Sequence, residues 1–411
     1  MNIFIICQWF PPEHAPIGVM LKELSQDLTD LGHSVTVITG FPNHPNGIVY
    51  QGYKKKLFLQ ETVEGVNLIR CYLFTSPDKS FFKRVMNFLT FAVTSFLAAL
   101  TLPNQHIQFV VSPPITNGLV AIILKKLKGI KLVFNIQDIY PDVAITTGVI
   151  QNPVLIKLLK RYEQIIYDQA DQITVISHGF EKNLLSKGVI KNKITVIPNW
   201  IDTNEVYPRE RDNSFARKHG LIDKFVVLYS GTIGLISGAE VLVECAAMLQ
   251  SYKDIVFLFV GEGIVKDNIQ HAATARDLTN MYFLPFQPRE FLSDVQSTAD
   301  VSVVTLKKGK GKTSVPSKVL GFMAAARPVI ASVDADSDTA QLIKNANCGF
   351  CVEAESAECI KSAVLYFYND RFSGRTLGAN GRIYLESHFH RNKVTSCYER
   401  ALKDTLAEKK L

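Results

Sequence analysis

The sequence has little of several features that would assign it to a specialised class of protein. Its 411 residues contain only seven cysteines, an odd and scattered number that excludes a disulfide scaffold and favours a reducing compartment. Neither sign of charge dominates, since 45 Lys+Arg oppose 38 Asp+Glu; this excludes a nucleic-acid-binding tail. The apolar opening run Met1–Cys7 has no basic leader, so we expect no secretory signal and a cytoplasmic protein.

Long hydrophobic runs are also scarce, with one exception. Residues 85–102 carry no charge and follow the basic pair Lys83 and Arg84. A membrane-spanning helix needs ~20 predominantly apolar residues, whereas this segment contains several Asn, Thr and Ser side chains and ends at Pro103. We therefore expect a helix buried against a sheet. A helix lying in the membrane interface is the main alternative, and a true span is the third.

Short apolar runs typical of buried parallel strands alternate with amphipathic helical segments along the whole chain. The alternation pauses at 199–223, where prolines, a charged cluster at 209–212 and Gly220 give linker composition. The pattern predicts an α/β protein with two doubly wound, Rossmann-like domains, at 1–200 and 201–390, facing each other across a ligand-binding cleft, and a final helix at 391–411. The predicted strands are Asn2–Ile6, Ser34–Thr39, Val66–Cys71, Phe109–Ser112, Lys131–Ile136, Gln172–Ile176, Lys193–Ile197, Phe225–Ser230, Ile255–Val260, Met281–Leu284, Val301–Thr305, Pro328–Ala331 and Gly349–Val352.

The loop after the first predicted strand, residues 8–18, leads through three prolines into a helix expected to begin at Val19. Backbone N–H groups around Gly18 would then lie at a helix N-terminus, where donors and dipole together stabilise a phosphate or carboxylate. Because the prolines remove donors, a rigid connector without a ligand is the alternative.

Two further loops in the second half of the chain are candidate anion sites. Gly231–Gly234 lies between a strand and a helix, as a diphosphate-binding loop does, although it is neither a P-loop nor GxGxxG. The lysine-rich loop 307–312 follows another strand and is either an anion site or a solvated run of charges. Lys318 falls in the first turn of a predicted helix, where a cation opposes the dipole, so we assign it to a diphosphate contact.

The remaining candidates are acidic residues and cysteines. Asp138 stands at the carboxyl end of a predicted strand, where it is either a base or hydroxyl acceptor for the cleft, or a helix cap. Cys348 and Cys351 form a lone C-x-x-C, and the acidic run 334–338 is explained by a capping turn. We therefore expect no metal site and no cofactor.

The order of these motifs resembles the retaining glycosyltransferases of family 4, whose GT-B fold consists of two facing Rossmann-like domains. A finer pattern, Pro42–Tyr50 together with Asp138–Asp142, is similar to the branch of bacterial O-antigen enzymes described as L-fucosamine transferases. The six segments that carry the family resemblance are Trp9–Glu13, Leu31–Thr39, Ala170–Ser177, Ile197–Asp202, Gly231–Gly234 and Pro316–Ile330.

The resemblance implies transfer of a sugar from a UDP-sugar, such as UDP-N-acetyl-L-fucosamine, to a saccharide linked to polyprenyl diphosphate, with retention and without a metal. It places the enzyme peripherally on the cytoplasmic face of the inner membrane, where two basic clusters, at 79–84 and 125–131, would meet anionic lipid. Resemblance and loop analysis together give these candidates: Asp138 and Lys318 for catalysis; Gly231, Thr232, Gly234, Gly261, Glu262, Gly263, Phe286, Ser317 and Lys318 for the donor; and Pro12, Glu13 and Gly18 for the acceptor.

The sequence also departs from the family pattern. The paired glutamates E-x7-E, which hold sugar and ribose hydroxyls in the family, would fall here on Thr313 and Gly321. The segment 230–239 lacks the arginine and lysine that many members have there, so Lys318 and the loop 307–312 would supply the cation. These departures keep two alternatives open: a catalytically degenerate nucleotide-sugar-binding partner subunit, and a nucleotide-sugar 2-epimerase.

Overall fold

The computed structural model describes residues 1–13, 15–53, 56–78, 80–103, 105–311 and 317–407. The chain divides into two compact units, Met1–Asn199 with Asn392–Leu411 and Trp200–Arg391. The strands are β1 (Asn2–Ile6), β2 (Ser34–Gly40), β3 (Phe58–Val63), β4 (Val66–Cys71), β5 (Ile107–Ser112), β6 (Lys131–Ile136), β7 (Gln172–Val175), β8 (Ile194–Val196), β9 (Phe225–Ser230), β10 (Ile255–Val260), β11 (Met281–Leu284), β12 (Val301–Thr305), β13 (Val329–Ser332) and β14 (Gly349–Val352).

Helices connect most of these strands, as right-handed strand-helix-strand units require. They are α1 (Pro16–Asp30), α2 (Phe81–Thr101), α3 (Thr116–Lys128), α4 (Asp142–Thr146), α5 (Pro153–Gln169), α6 (His178–Ser186), α7 (Ser214–Lys218), α8 (Val241–Met248), α9 (Lys266–Thr274), α10 (Leu292–Ser297), α11 (Lys318–Ala324), α12 (Asp338–Ala346), α13 (Ala357–Asn369), α14 (Arg371–His388) and α15 (Arg391–Ala407). Short 3₁₀ turns occur at Lys191–Lys193 and Arg289–Phe291.

The first unit is built on a sheet with the strand order β3-β4-β2-β1-β5-β6-β7-β8. Its neighbouring strands are parallel except β3 and β4, which pair antiparallel through a hairpin at Glu64 and Gly65. The edge strand β3 was not predicted, because its side chains alternate between half-buried and exposed and it follows a run of lysines. The central strands β1 and β5 are almost wholly buried, as strands covered on both faces must be.

Helix α1 begins at Pro16, three residues before the predicted start at Val19. Proline suits the first helical position, because its φ is already helical and its missing N–H would have had no partner there. The earlier start makes Gly18 the third helical residue. A Cβ at Gly18 would lie 3.1 Å from the backbone of Trp9 and Phe10, so the glycine lets the helix approach the preceding loop closely.

Helix α2 contains the charge-free segment and is buried on one face only. Phe91, Thr94 and Ala98 face the protein, whereas Val93 and Leu97 are 60% and 43% exposed. The expectation of a helix buried against a sheet is therefore wrong for half of its circumference. Among the described residues, α2 is the helix that is long and apolar enough, by length and composition only, to cross a membrane.

The second unit contains an all-parallel sheet with the order β11-β10-β9-β12-β13-β14. Strands β9 and β10 lie side by side near its centre and are buried along their full length. Because all six strands run in one direction, their carboxyl ends form one edge of the sheet and their amino ends the other. Ligands of open α/β sheets bind at the carboxyl edge, so a ligand site is expected there.

Helix α15 returns the end of the chain to the first unit. The ring of Tyr398 is buried and makes an edge-to-face contact with Phe109 on β5, with 5.6 Å between the ring centroids. The amide nitrogen of Asn135 on β6 donates a hydrogen bond to the Tyr398 hydroxyl at 3.3 Å. This aromatic contact and hydrogen bond attach the last helix to the centre of the sheet.

Truncating this anchor should destabilise the fold. We expect Tyr398→Ala to lower the free energy of unfolding by about 3 kcal/mol, because it removes a buried ring and leaves the Asn135 amide without that acceptor. The matched control is Arg400→Ala, an exposed residue two positions along the same helix, which should change stability by less than about 0.5 kcal/mol. Urea unfolding of both variants measures this, and equal losses would contradict the assigned role of Tyr398.

Candidate functional site

Two glycine loops meet at the carboxyl edge of the second unit's sheet. Gly231 follows β9 with φ +119°, and Gly261 follows β10 with φ +154°. A Cβ at Gly261 would lie only 2.0 Å from the carbonyl oxygen of Gly231, so no side chain fits between the loops. The N–H of Gly231 donates to the carbonyl of Val260 at 2.9 Å, and this bond fixes the distance between the two loops. The two predicted donor loops are thus in backbone contact.

A second backbone contact joins the two loops further along the chain. The N–H of Ile233 donates to the carbonyl of Glu262 at 3.0 Å, and a Cβ at Gly263 would lie 2.2 Å from the Ile233 carbonyl oxygen. Gly234 differs, because a Cβ there would meet nothing within 4 Å. Within the described part of the chain, the N–H groups of Thr232 and Gly234 have no hydrogen-bond partner. Two backbone donors therefore remain available for an anion.

Lys318 reaches these loops from the first turn of α11. Its ammonium nitrogen lies 3.8 Å from the ring centroid of Tyr229 and donates to the carbonyl of Thr232 at 3.5 Å. No carboxylate among the described residues pairs with it. Loss of hydration among these groups lowers the pKa of Lys318 to about 7. Within the described residues, Lys318 is a half-buried cation without a counter-ion, next to two backbone donors without partners, and this arrangement is suited to an anionic ligand.

A polar residue that the sequence did not single out lies close to this helix. Gln296, on α10, is buried and donates from its amide nitrogen to the Ser230 hydroxyl at 3.3 Å, while its amide oxygen has no partner in the described structure. A Cβ at Gly321 would meet only that amide nitrogen, at 3.7 Å. The space beside Gly321, where the family pattern has a glutamate, is thus bordered by the Gln296 amide. Thr313, the other such position, lies outside the described residues.

Three other residues predicted to bind the donor also lie at the carboxyl edge of this sheet. In the part of the chain that the structure describes, their side chains lack the two contacts that Lys318 makes, with the Tyr229 ring and with the Thr232 carbonyl, and each has a different environment. The Glu262 carboxylate accepts from Lys266 at 2.7 Å, which engages one of its oxygens. Phe286 follows β11 and is 52% exposed. Ser317 precedes α11 and is exposed, and its side chain makes no capping bond. Their assignment to the donor remains a prediction.

Two lysines of the lysine-rich loop pair with acidic residues of the second unit. Lys307 pairs with Glu240 at 3.1 Å and Lys308 with Glu353 at 3.6 Å. The Asp334 carboxylate accepts from the N–H of Gly309 at 2.9 Å. Lys308 remains 72% exposed in its pair, so the anion site and the solvated run of charges both stay predictions for this loop, while Lys312 lies outside the described residues.

The acidic run 334–338 and the cysteines show no metal-ligand arrangement. Ser337 caps α12, with its hydroxyl accepting from the N–H of Ala340 at 3.2 Å, which confirms the capping turn. Cys348 is buried and Cys351 is exposed. Across the described ranges, no three His, Cys, Asp or Glu side chains are grouped so that they could hold a metal ion.

In the first unit, Asp138 lies just beyond the carboxyl end of β6. Helix α4 begins at Asp142 and its cap position is Pro141, so Asp138 does not cap it. Loss of hydration raises the pKa of Asp138 to about 6. The carboxylate is therefore largely ionised at neutral pH, although its surroundings disfavour the charge. A desolvated acid that caps no helix is a candidate functional group.

The three predicted acceptor residues lie in or next to the loop before α1. The Glu13 carboxylate is buried and accepts from the N–H groups of Asn43 and His44, both at 2.8 Å, so it connects two loops. Burial raises the pKa of Glu13 to about 7. The N–H of Gly18 donates to the carbonyl of Ala15 at 2.9 Å, and Pro12 is exposed in a turn. The structure thus gives Glu13 and the Gly18 amide internal partners, and acceptor binding stays a prediction.

The sequence matches two families that together span most of the chain. Residues 17–200 match the model described as a glycosyl transferase 4-like domain, and residues 212–383 match the model described as glycosyl transferases group 1. A putative colanic acid biosynthesis glycosyl transferase, WcaI from Escherichia coli, is 27% identical over 377 residues. That alignment covers 89% of this chain and 91% of WcaI.

Solved structures with the same fold cover the whole chain at low identity. Sucrose-phosphate synthase from Thermosynechococcus elongatus superposes with a TM-score of 0.77 at 19% identity and covers 99% of both chains. HepE from Anabaena, solved in complex with UDP-glucose, superposes with a TM-score of 0.73 at 13% identity and covers 98% of this chain and all of HepE. These likenesses confirm the predicted GT-B fold class.

The backbone contact between the glycine loops yields a direct prediction. We expect Gly261→Ala to lower the free energy of unfolding by about 2 kcal/mol or more, because the new methyl group would collide with the Gly231 carbonyl at a positive φ. Gly234→Ala, in open space at an ordinary φ, should leave stability within about 0.5 kcal/mol. Thermal unfolding of the pair measures the difference, and a Gly261→Ala variant as stable as the parent would show that the loops do not touch.

Proposed function

Because the chain belongs to the glycosyltransferases of the family 4 type with the GT-B fold, we propose that it transfers a sugar from a UDP-sugar to a lipid-linked saccharide during surface polysaccharide synthesis. The observation that carries this proposal is Lys318, a desolvated ammonium without a carboxylate partner in the described structure, beside the free N–H groups of Thr232 and Gly234. Solved structures of HepE with UDP and with UDP-glucose, and the name of WcaI, support the donor and the pathway class.

The proposed step uses these groups to stabilise a leaving diphosphate. The bond between the anomeric carbon and the diphosphate oxygen breaks, and negative charge grows on that oxygen. Preorganised N–H groups and an ammonium stabilise this charge, so a divalent metal is not needed for departure. The acceptor oxygen bonds to the anomeric carbon from the same face, with retention, and its proton passes to the departing diphosphate. We assign Asp138 to a hydroxyl of the reacting sugars, following the family resemblance.

The finer donor identity rests on the sequence pattern alone. Residues 42–50 with 138–142 resemble the L-fucosamine transferase branch, so UDP-N-acetyl-L-fucosamine is the donor we propose to test first.

A membrane-linked acceptor is supported by the apolar face of the first unit. We define this apolar face as the exposed residues of α2 and its neighbour α3, namely Phe81, Phe82, Leu89, Val93, Leu97, Leu100, Leu119, Ile123 and Leu127. The basic residues that were expected to meet lipid have mostly internal roles: Lys83 pairs with Asp78, and Lys128 donates to the carbonyls of Ala99 and Leu100 at the end of α2. Lys79 lies outside the described residues. Apolar area, more than charge, therefore supports docking of this face on a bilayer.

The donor site should take up a proton when it binds UDP. At pH 8 the lowered pKa keeps most of Lys318 neutral, and a bound diphosphate raises that pKa, so binding should absorb most of one proton. At pH 6 Lys318 is already charged and should contribute no uptake. Calorimetry in EDTA, in two buffers of different ionisation enthalpy, measures this. Lys318→Met should bind about tenfold more weakly without proton uptake.

The control for that experiment is Lys253→Met, an exposed lysine elsewhere in the second unit, which should behave like the parent. Proton uptake that persists in Lys318→Met would show that another group contacts the diphosphate. Binding that requires magnesium would overturn the metal-free step.

The apolar face should mediate membrane binding. We expect the double substitution Val93→Glu with Leu97→Glu to weaken binding to vesicles of bacterial lipid by about tenfold or more, because both side chains would carry charge into the bilayer. Ile383→Glu, on an equally exposed apolar position of α14, is the control and should bind as the parent does. Vesicle co-sedimentation measures both; equal binding by all three proteins would remove the apolar face from the acceptor pathway.

A further inference from the structure

The second unit contains an arginine-rich cavity at the edge of its sheet opposite to the glycine loops. Phe225 begins β9, Asp300 precedes β12 and Pro328 precedes β13, so these lining residues mark the amino edge. The cavity has a volume of about 380 Å³, within the range of small-molecule sites. Five arginines line it, and we call it the arginine pocket: Arg209, Arg211, Arg327, Arg371 and Arg375.

Two of these arginines have a structural task. Arg211 places two nitrogens 3.0 and 3.1 Å from one oxygen of Asp300, and it also donates to the carbonyls of Leu221 and Ile222. Arg371 contacts the other Asp300 oxygen at 2.8 Å and lies 4.8 Å from the Phe225 ring centroid. Both Asp300 oxygens are therefore engaged by Arg211 and Arg371, and a third arginine, Arg209, pairs with Asp294 at 3.2 Å.

Arg327 and Arg375 have no carboxylate partner among the described residues. One terminal nitrogen of Arg327 donates to the Arg209 carbonyl at 3.0 Å, but its Nε is buried and unpaired. Arg375 is exposed on α14, and within the ranges described it makes neither an ion pair nor a hydrogen bond. Burial is the main cause that lowers the pKa of Arg327; Arg211 and Arg375 lower it further, whereas Asp300 and Glu210 act in the opposite direction.

The location of this positive charge is electrostatically unfavourable. Arg371 and Arg375 lie four residues apart in the first turns of α14, where like charges repel and the helix dipole disfavours cations. Only Glu210 and Asp300 bring negative charge to the described lining. An anion with two or more charges would relieve this repulsion and pair with the guanidinium forks.

We propose that the arginine pocket binds a small molecule carrying a phosphate or diphosphate group, at a site separate from the glycine loops. Arg375 and the guanidinium group of Arg327 contact the anion, while Arg211 and Arg371 hold the walls through Asp300. The planar, bidentate guanidinium groups favour a tetrahedral phosphate, which offers several acceptor oxygens within one small volume.

The probe for this site is inorganic pyrophosphate, titrated into the full chain by calorimetry. We expect Arg375→Gln to weaken pyrophosphate binding at this site by about tenfold, the effect of losing one charge-assisted contact. Arg276→Gln is the matched control, because it removes an exposed arginine that pairs with Glu244 outside the pocket. Lys318→Met serves as the second control: binding at the arginine pocket should persist in it, whatever happens at the glycine loops.

A stability measurement separates a ligand site from a structural cluster. Because Arg375 has no partner in the described structure and faces like charges, Arg375→Gln should unfold at the same temperature as the parent or higher. The proposal is overturned if the parent shows no saturable binding, if Arg375→Gln binds as tightly as the parent, or if Lys318→Met alone abolishes binding. A clear fall in the melting temperature of Arg375→Gln would also overturn it, since it would identify a structural arginine.

Discussion

The contact between two backbones, Gly231 after β9 and Gly261 after β10, is the constraint on which the candidate donor site depends. The parallel strands lie side by side, and their loops continue that proximity beyond the sheet because neither position has a Cβ. Next to this contact, the Thr232 and Gly234 amides have no hydrogen-bond partner among the described residues, and the Thr232 carbonyl accepts from Lys318. The proposed diphosphate cradle is thus built from backbone, with one side chain added.

At both edges of its sheet, the second unit has cations that lack a carboxylate partner in the described structure. At the carboxyl edge, Lys318 is half-buried without a carboxylate partner in the described structure; at the amino edge, Arg327 and Arg375 also lack such a partner. Elsewhere in the unit, cations such as Lys307 and Arg276 are paired. Unneutralised charge costs stability in the empty protein, so its presence at two concave places points to ligands that supply the missing anions.

The sequence revealed the strands well because buried parallel strands are continuous apolar runs, and it missed β3 because an edge strand is half polar. Lys318 could be found because a lysine in a first helical turn conflicts with the dipole. Glu13 was assigned to the acceptor, but its buried contacts with the N–H groups of Asn43 and His44 could not be predicted, since the fold brings these distant residues together. Gln296 and the arginine pocket were missed for the same reason: their neighbours are distant in the chain and carry no local pattern.

If this chain is an active transferase, the purified protein must transfer sugar to a lipid-linked acceptor, and this turnover can be measured directly. Purified protein would be incubated with labelled UDP-sugars and bacterial membranes that supply polyprenyl-diphosphate saccharides, and transfer to lipid would be counted. We expect transfer from one UDP-sugar in EDTA, and a loss of about a hundredfold or more in Asp138→Asn with UDP affinity unchanged. UDP binding without transfer from any donor would contradict this expectation and identify a binding subunit instead.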